Sequence, residues 1–492
     1  MSEQEGESDD HPREEPSTSR VVGSVAWAGT SAVLGQAIQF ISFIAITRVL
    51  TPSQVGLGTI ALTVALFGQL FTDLGLSAAI IKQRHLTQSY VATSFLINAW
   101  SGLVVTLIIV AISVPVSKIF HAPSLILLIS VASLTFLLSV GSVPLALLIR
   151  QFRFKTITKI EVASAVIAAA LGITASRNGF GATSVLIAPI VSVLISSICA
   201  CYTVRIPLRH LYSHADARDI VKYVRGIVGF STLNYWSRNA DNLIVAGIAS
   251  PTVLGYYGRA YQLMLAPLTL VADVISRVLF PVLSVNAANE ERFRSAWSSA
   301  IGAAMLIGCP FAGFMVMDGR DIAIVLLGQK WAPCGFFISV LAASLPAQLF
   351  SRFSGVVYQS LQVTGLYFRM GIVGIVVTVG GMLVGIAWGA HGVTVGASAG
   401  LTITACVVGE ILCRLTRTSR LQLLKVLLRP VLSAGVSLVP AIYFRDFVGA
   451  SAWIGLIDSG GLFLAIYTVC TWKGGDASIV RVFSRLRNAG RV

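Results

Sequence analysis

The chain has 492 residues, 55% of them hydrophobic and only 12% charged, with a formal net charge of +15. A mean hydropathy of +0.82 excludes an ordinary soluble fold, because so few charged side chains cannot cover a globular surface. The positive balance is dispersed through short connections rather than gathered in one patch, so it points to membrane topology and away from nucleic acid.

Residues 1–20 form a polar tail carrying Glu3, Glu5, Glu7, Asp9, Asp10, Glu14 and Glu15. No apolar core precedes a cleavage site there, so the segment reads as a disordered acidic tail rather than a secretory signal. About fourteen apolar runs follow, each of roughly 20 residues, enough to cross a hydrocarbon core of roughly 30 Å. They cover 22–46, 55–79, 90–113, 124–147, 159–176, 182–204, 221–247, 255–281, 295–317, 335–361, 367–388, 392–413, 423–443 and 449–472. The runs are continuous, without the alternation of barrel strands, so helices are expected throughout.

Numbering the gaps alternately, with the amino terminus in the cytoplasm, sorts the 36 lysines and arginines by side. Only Arg48, Lys118, Arg177, Arg259, Arg320, Lys330 and Arg445 fall on the far side, and Arg238, Arg277 and Arg352 fall inside spans. All the others are cytoplasmic. A wrong span count would scramble this asymmetry, so it supports both the count and cytoplasmic termini.

A faint internal repeat is present. Leu50-Thr-Pro-Ser-Gln-Val-Gly56 joins spans one and two, and Ala249-Ser-Pro-Thr-Val-Leu-Gly255 joins spans seven and eight. In each, the hydroxyl can cap the new helix, proline suits its first turn and glycine allows close packing. An even number of spans separates the copies, so they share one orientation. The expected fold is therefore an all-α integral membrane protein with two parallel six-helix lobes around a central cavity, plus two C-terminal helices. Its boundaries are a tail at 1–20, a first lobe at 21–204, a cytoplasmic linker at 205–220 and a second lobe at 221–415. Helices thirteen and fourteen fill 416–472, and a basic tail fills 473–492.

A charged residue at mid-membrane costs roughly 2.5–3.5 kcal/mol on insertion scales, so those inside spans should face protein or water. Arg238 and Asp241 are three apart, and Asp273 and Arg277 four apart, which puts each pair on one helix face. They are either self-satisfied ion pairs or the walls of a hydrophilic cavity. In the second case Arg238, Arg277 and Arg352 would meet an anionic substrate, because a guanidinium fork suits phosphate oxygens. Asp73, Asp241 and Asp273 would then serve ion coupling or structural pairing. The connection Arg150-Gln-Phe-Arg153-Phe-Lys155 alternates cations with aromatics, which suits an interfacial segment on anionic lipid as well as a plain topological loop.

Seven cysteines and six histidines show no metal-ligand spacing, and no cofactor or metal is expected. There is no GxxxxGK[ST] loop and no hydrolase signature, so transport rather than catalysis is expected.

The stretches Arg48-Val-Leu-Thr-Pro-Ser-Gln-Val-Gly56, Phe71-Thr-Asp-Leu-Gly-Leu-Ser-Ala-Ala79 and Leu148-Ile-Arg-Gln-Phe-Arg-Phe-Lys155 resemble polysaccharide-transport (Wzx-like) flippases. These belong to the multidrug/oligosaccharidyl-lipid/polysaccharide exporter superfamily. Asn239-Ala-Asp-Asn-Leu-Ile-Val-Ala-Gly247, Leu254-Gly-Tyr-Tyr-Gly-Arg-Ala-Tyr261 and Phe280-Pro-Val-Leu283 extend the likeness, which runs from residue 22 to about 420. The resemblance implies translocation of undecaprenyl-diphosphate-linked oligosaccharide across a bacterial inner membrane by alternating access, for exopolysaccharide or another surface polymer. It implies membrane lipids, a polysaccharide polymerase and chain-length or export proteins as partners. Rival readings are a cation-coupled multidrug exporter of the same superfamily and a membrane glycosyltransferase or polymerase. The last commonly needs a sizeable outer loop, which is missing here.

Overall fold

The computed structural model describes residues 18–73, 76–83, 86–204, 206, 212–222, 244–247, 249–448 and 452–473. Among the described residues the elements are all helices, with no strand. The chain divides into two compact units, Met1–Asn239 and Ala240–Val492. Unit 1 contains α1 (Thr18–Val49), α2 (Pro52–Asp73), α3 (Leu76–Lys82), α4 (Gln88–Ile119), α5 (Ser124–Leu138), α6 (Ser142–Arg150), α7 (Phe154–Arg177) and α8 (Ser184–Thr203). Unit 2 contains α9 (Pro251–Val285), α10 (Glu290–Leu327), α11 (Cys334–Ala343), α12 (Leu345–Ser360), α13 (Thr364–Gly385), α14 (Gly389–Leu415), α15 (Arg420–Val448) and α16 (Ala452–Lys473).

Each expected span coincides with one helix or one broken pair, except the seventh, which lies largely outside the described residues. Among the described residues, eight helical stretches are long and apolar enough to cross a membrane, and the bent pair α11–α12 adds a ninth. One of the eight holds both α13 and α14, which run antiparallel. With 32, 22 and 35 residues, α1, α2 and α9 are also long enough at about 1.5 Å per residue. The chain is a multi-pass membrane protein.

Local chemistry explains where the helices start and break. Thr51 and Gln54 cap α2 reciprocally: the Thr51 N–H donates to Gln54 Oε1 (3.0 Å) and the Gln54 N–H to Thr51 Oγ1 (3.4 Å). In unit 2, Ser250 accepts from the Val253 N–H at the start of α9, with Pro251 in the first turn. Span two is described as α2 and α3, on either side of residues 74–75. The Thr72 carbonyl near the end of α2 accepts from Asn98 Nδ2 (2.9 Å) and Ser101 Oγ (3.3 Å), side-chain donors from α4.

The two units repeat one element order. Both the fourth and the tenth spans break ahead of a proline, Pro144 after the turn Ser139–Gly141 and Pro346 after Ser344. A proline removes the donor that the carbonyl four residues earlier needs. Both spans then end on the same cap. Phe152 (φ 55°) and Gln362 (φ 58°), 210 positions apart, occupy the left-handed region. The following N–H groups reach back five residues, Arg153 to the Leu148 carbonyl and Val363 to the Tyr358 carbonyl, each at 3.0 Å.

Glycines set the closest approaches. A Cβ on Gly381 or Gly385 would lie 2.4 or 2.2 Å from the carbonyl oxygen of Gly396 or Gly392, so α13 and α14 pack backbone to backbone. The last helix is seated on α10 along its length: Tyr467 donates to the Leu306 carbonyl (3.0 Å), Phe463 covers Gly313, and Ser459 reaches Asp318. In unit 1 the segment 214–222, expected as part of a linker and the start of span seven, is a short helix docked on its own unit. Ile220 is 1% exposed in a cluster with Leu76, Ile80, Tyr90, Val143 and Leu147, and Ser89 Oγ donates to Asp216 Oδ2 (2.9 Å).

Candidate functional site

Helix α10 leaves regular geometry at Asp318 (φ −106°, ψ 20°), and the freed backbone meets an arginine from α15. Arg445 Nη1 lies 3.2 Å from Asp318 Oδ1, and Arg445 Nη2 lies 2.7 Å from Asp321 Oδ2. Nη1 also donates to the Met317 carbonyl (3.1 Å), while Ser459 Oγ from α16 donates to Asp318 Oδ2 (3.1 Å). The Asp318 side chain is fully buried. One guanidinium thus ties two carboxylates on α10 to the terminal helix pair. Both terminal nitrogens of Arg445 are engaged with the protein, so the cluster acts as a fastening.

A second cation of this unit, Arg259, is buried. The charge count puts it on the far side, at the start of the eighth span, and it lies inside α9, where the capped start at Pro251 places it in the third turn. It is 6% exposed, and Nη1 donates to Gln262 Oε1 (2.7 Å). Nearby, the Cys334 thiol donates to the Tyr256 carbonyl (3.2 Å), and Tyr256 stands edge-on to Trp331 at 5.8 Å. Neither this cluster nor Asp318–Arg445–Asp321 was signalled by charges inside apolar runs, because all of these residues sit near predicted span ends. The short spacing of Asp318-Gly-Arg-Asp321, two acids one turn apart, is the one available signal.

Of the sequence-predicted residues, Arg352 sits half-buried on α12, in a broken membrane span among buried Leu349, Phe350 and Phe353. Asp273 and Arg277 belong by backbone to α9, one turn apart, and Asp73 ends α2; the side chains of all three lie outside the described set. Arg238 and Asp241 lie outside the described residues altogether.

Arg150, expected in the interfacial loop, turns inward. Its Nη1 donates to the Ile80 carbonyl (2.8 Å) and to that of Gln83, closing the end of α3. Arg153 and Lys155 are exposed.

The model of a family described as polysaccharide biosynthesis protein matches residues 45–335. The chain is 22% identical over 317 residues to the lipopolysaccharide biosynthesis protein WzxC of Escherichia coli, covering 63% of this chain and 64% of that protein. It is 23% identical over 326 residues to the succinoglycan biosynthesis transport protein ExoT of Rhizobium meliloti, covering 66% of each. The matched part spans about two thirds of the length of these curated relatives. Among solved structures, the inward closed lipid II flippase MurJ superposes with a TM-score of 0.70 at 13% identity, covering 92% of this chain and 98% of that one. That likeness establishes a shared helical fold. With the family's pattern running through more than half of its length, the chain belongs to the polysaccharide biosynthesis protein family.

Proposed function

We propose that this protein is a flippase for undecaprenyl-diphosphate-linked oligosaccharide, acting by alternating access in a bacterial inner membrane with both termini in the cytoplasm. The observation that carries the reading is a family match over residues 45–335, from the end of α1 through α10. Relatives named for lipopolysaccharide biosynthesis and succinoglycan transport support the cargo class. Physically, a diphosphate and its sugar hydroxyls cannot be desolvated in hydrocarbon, so a charged wet path must replace bulk water. Arg352, half-buried on α12, is proposed to contribute, with Arg238 and Arg277 as its companions. Asp73, Asp241 and Asp273 are proposed for coupling or pairing. The lobes are proposed to comprise 21–204 and 221–415, with 416–472 as an added helix pair. No bond is made or broken in this function, and exopolysaccharide is the preferred end product.

Deletion of the gene followed by analysis of undecaprenyl-linked intermediates tests the reading. Complete repeat units accumulating on the cytoplasmic face support a flippase. Incomplete glycans point instead to a transferase.

A further inference from the structure

The turn between α6 and α7 contains an aromatic residue that the fold does not require. Phe152 holds φ at 55°, a conformation that costs a bulky side chain and favours glycine, and it is 48% exposed. Its ring packs edge-on against Phe154 (centroids 6.2 Å apart), and Phe154 in turn lies against the core of Leu148, Ile157 and Ile160. Arg153, Lys155 and Lys159 are exposed beside it. Arg150 does not join them, because it is spent on the end of α3.

Unit 2 provides an internal control. The matching turn has the same left-handed cap and the same reach-back hydrogen bond, yet its residues are Ser360, Leu361, Gln362, Val363, Thr364 and Gly365. Over these six positions the turn therefore needs neither an aromatic residue nor cations; Arg369 stands where unit 1 has Lys159, so the contrast lies in Phe152, Arg153 and Lys155. In unit 1 it joins two helical stretches long and apolar enough to cross the membrane, Ser124–Arg150 and Phe154–Arg177, so it lies at headgroup depth. A ring that enters the acyl boundary with cations around it fits an anionic lipid surface.

We propose that Phe152, Arg153, Lys155 and Lys159 form a docking surface for anionic phospholipid headgroups, with Phe152 inserted beside them. On the orientation proposed above, this is the cytoplasmic leaflet. Occupancy by such lipid would fix the end of the broken α5–α6 span relative to the membrane.

The test uses the full chain carrying Phe152→Trp in liposomes of symmetric lipid composition, so it does not depend on which way the protein faces or on what it transports. Difference fluorescence against wild type is quenched with brominated phosphatidylglycerol or brominated phosphatidylcholine at equal mole fraction. The proposal expects quenching by the anionic lipid to exceed that by the zwitterionic one by about twofold or more, and Arg153→Glu/Lys155→Glu to equalise them. Equal quenching with the cations intact, or none with either lipid, overturns it. A second variant, Phe152→Gly, suits the backbone better and is expected to raise the melting temperature by about 1–3 °C in detergent. A fall would identify Phe152 as a packing residue and likewise overturn the proposal.

Discussion

Arg445 Nη2 lies 2.7 Å from Asp321 Oδ2, and the same guanidinium lies 3.2 Å from the fully buried Asp318. This contact joins α10, at the point where its helical geometry fails, to the pair of helices that ends the described chain. Arg445→Ala strands a buried carboxylate and is expected to destabilise unit 2 by about 3 kcal/mol. Adding Asp318→Asn should recover part of that loss. Thermal melting in detergent measures both. Wild-type melting of Arg445→Ala would show that the bridge fastens nothing.

The α13–α14 hairpin leaves no room for a side chain where Gly381 meets Gly396 and Gly385 meets Gly392. A Cβ on Gly396 would lie 2.0 Å from the Gly381 carbonyl oxygen, so Gly396→Val should cost about 1–3 kcal/mol or more and lower the yield of folded protein. Gly380→Val, one residue from the seam with nothing within 4 Å of its Cβ, should melt close to wild type. Size-exclusion profiles and melting curves of the pair make the comparison.

Ile220 anchors the helix 214–222 on unit 1 at 1% exposure. Ile220→Ala should weaken that docking by about 2–4 kcal/mol and open the segment to protease without unfolding the membrane helices. Limited proteolysis followed by mass spectrometry of the cut sites shows whether cleavage near residue 214 rises. An unchanged pattern would mean the segment is held by other contacts, such as Ser89 to Asp216.

Arg352 separates a transport role from a packing role. Arg352→Ala and Arg352→Lys should both leave the protein at wild-type levels in the membrane, while polymer output falls at least about tenfold for Ala. Lysine keeps the charge but lacks the planar fork, so it should restore only part of that output. Immunoblots of membranes beside polymer assays give the two readouts. Normal output from Arg352→Ala removes this arginine from the substrate path.

The helical membrane fold was legible because apolar length and charge asymmetry are imposed by the bilayer itself. The hydroxyl-proline starts at Thr51 and Ser250 were legible for a similar reason, since their capping is local. Other features depend on partners distant in sequence. The donors to the Thr72 carbonyl come from Asn98 and Ser101, and the Asp318 cluster needs Arg445 and Ser459, more than a hundred residues away. Arg150 looked like a loop cation because nothing in its own segment reveals the carbonyls of Ile80 and Gln83. Charges inside spans drew attention by their insertion cost, whereas Arg259 and Asp318 lie near span ends, where that cost signal fades.

The most direct measurement places the purified protein in liposomes containing a fluorescent polyprenyl-diphosphate oligosaccharide and follows its exposure to a membrane-impermeant sugar-modifying reagent outside. Movement between leaflets should leave only an outer fraction modified at once in empty liposomes, with the protected remainder becoming accessible over minutes when the protein is present. Arg352→Ala should slow that second phase. An identical protected fraction with and without folded protein, under every ion gradient tried, would contradict the assignment.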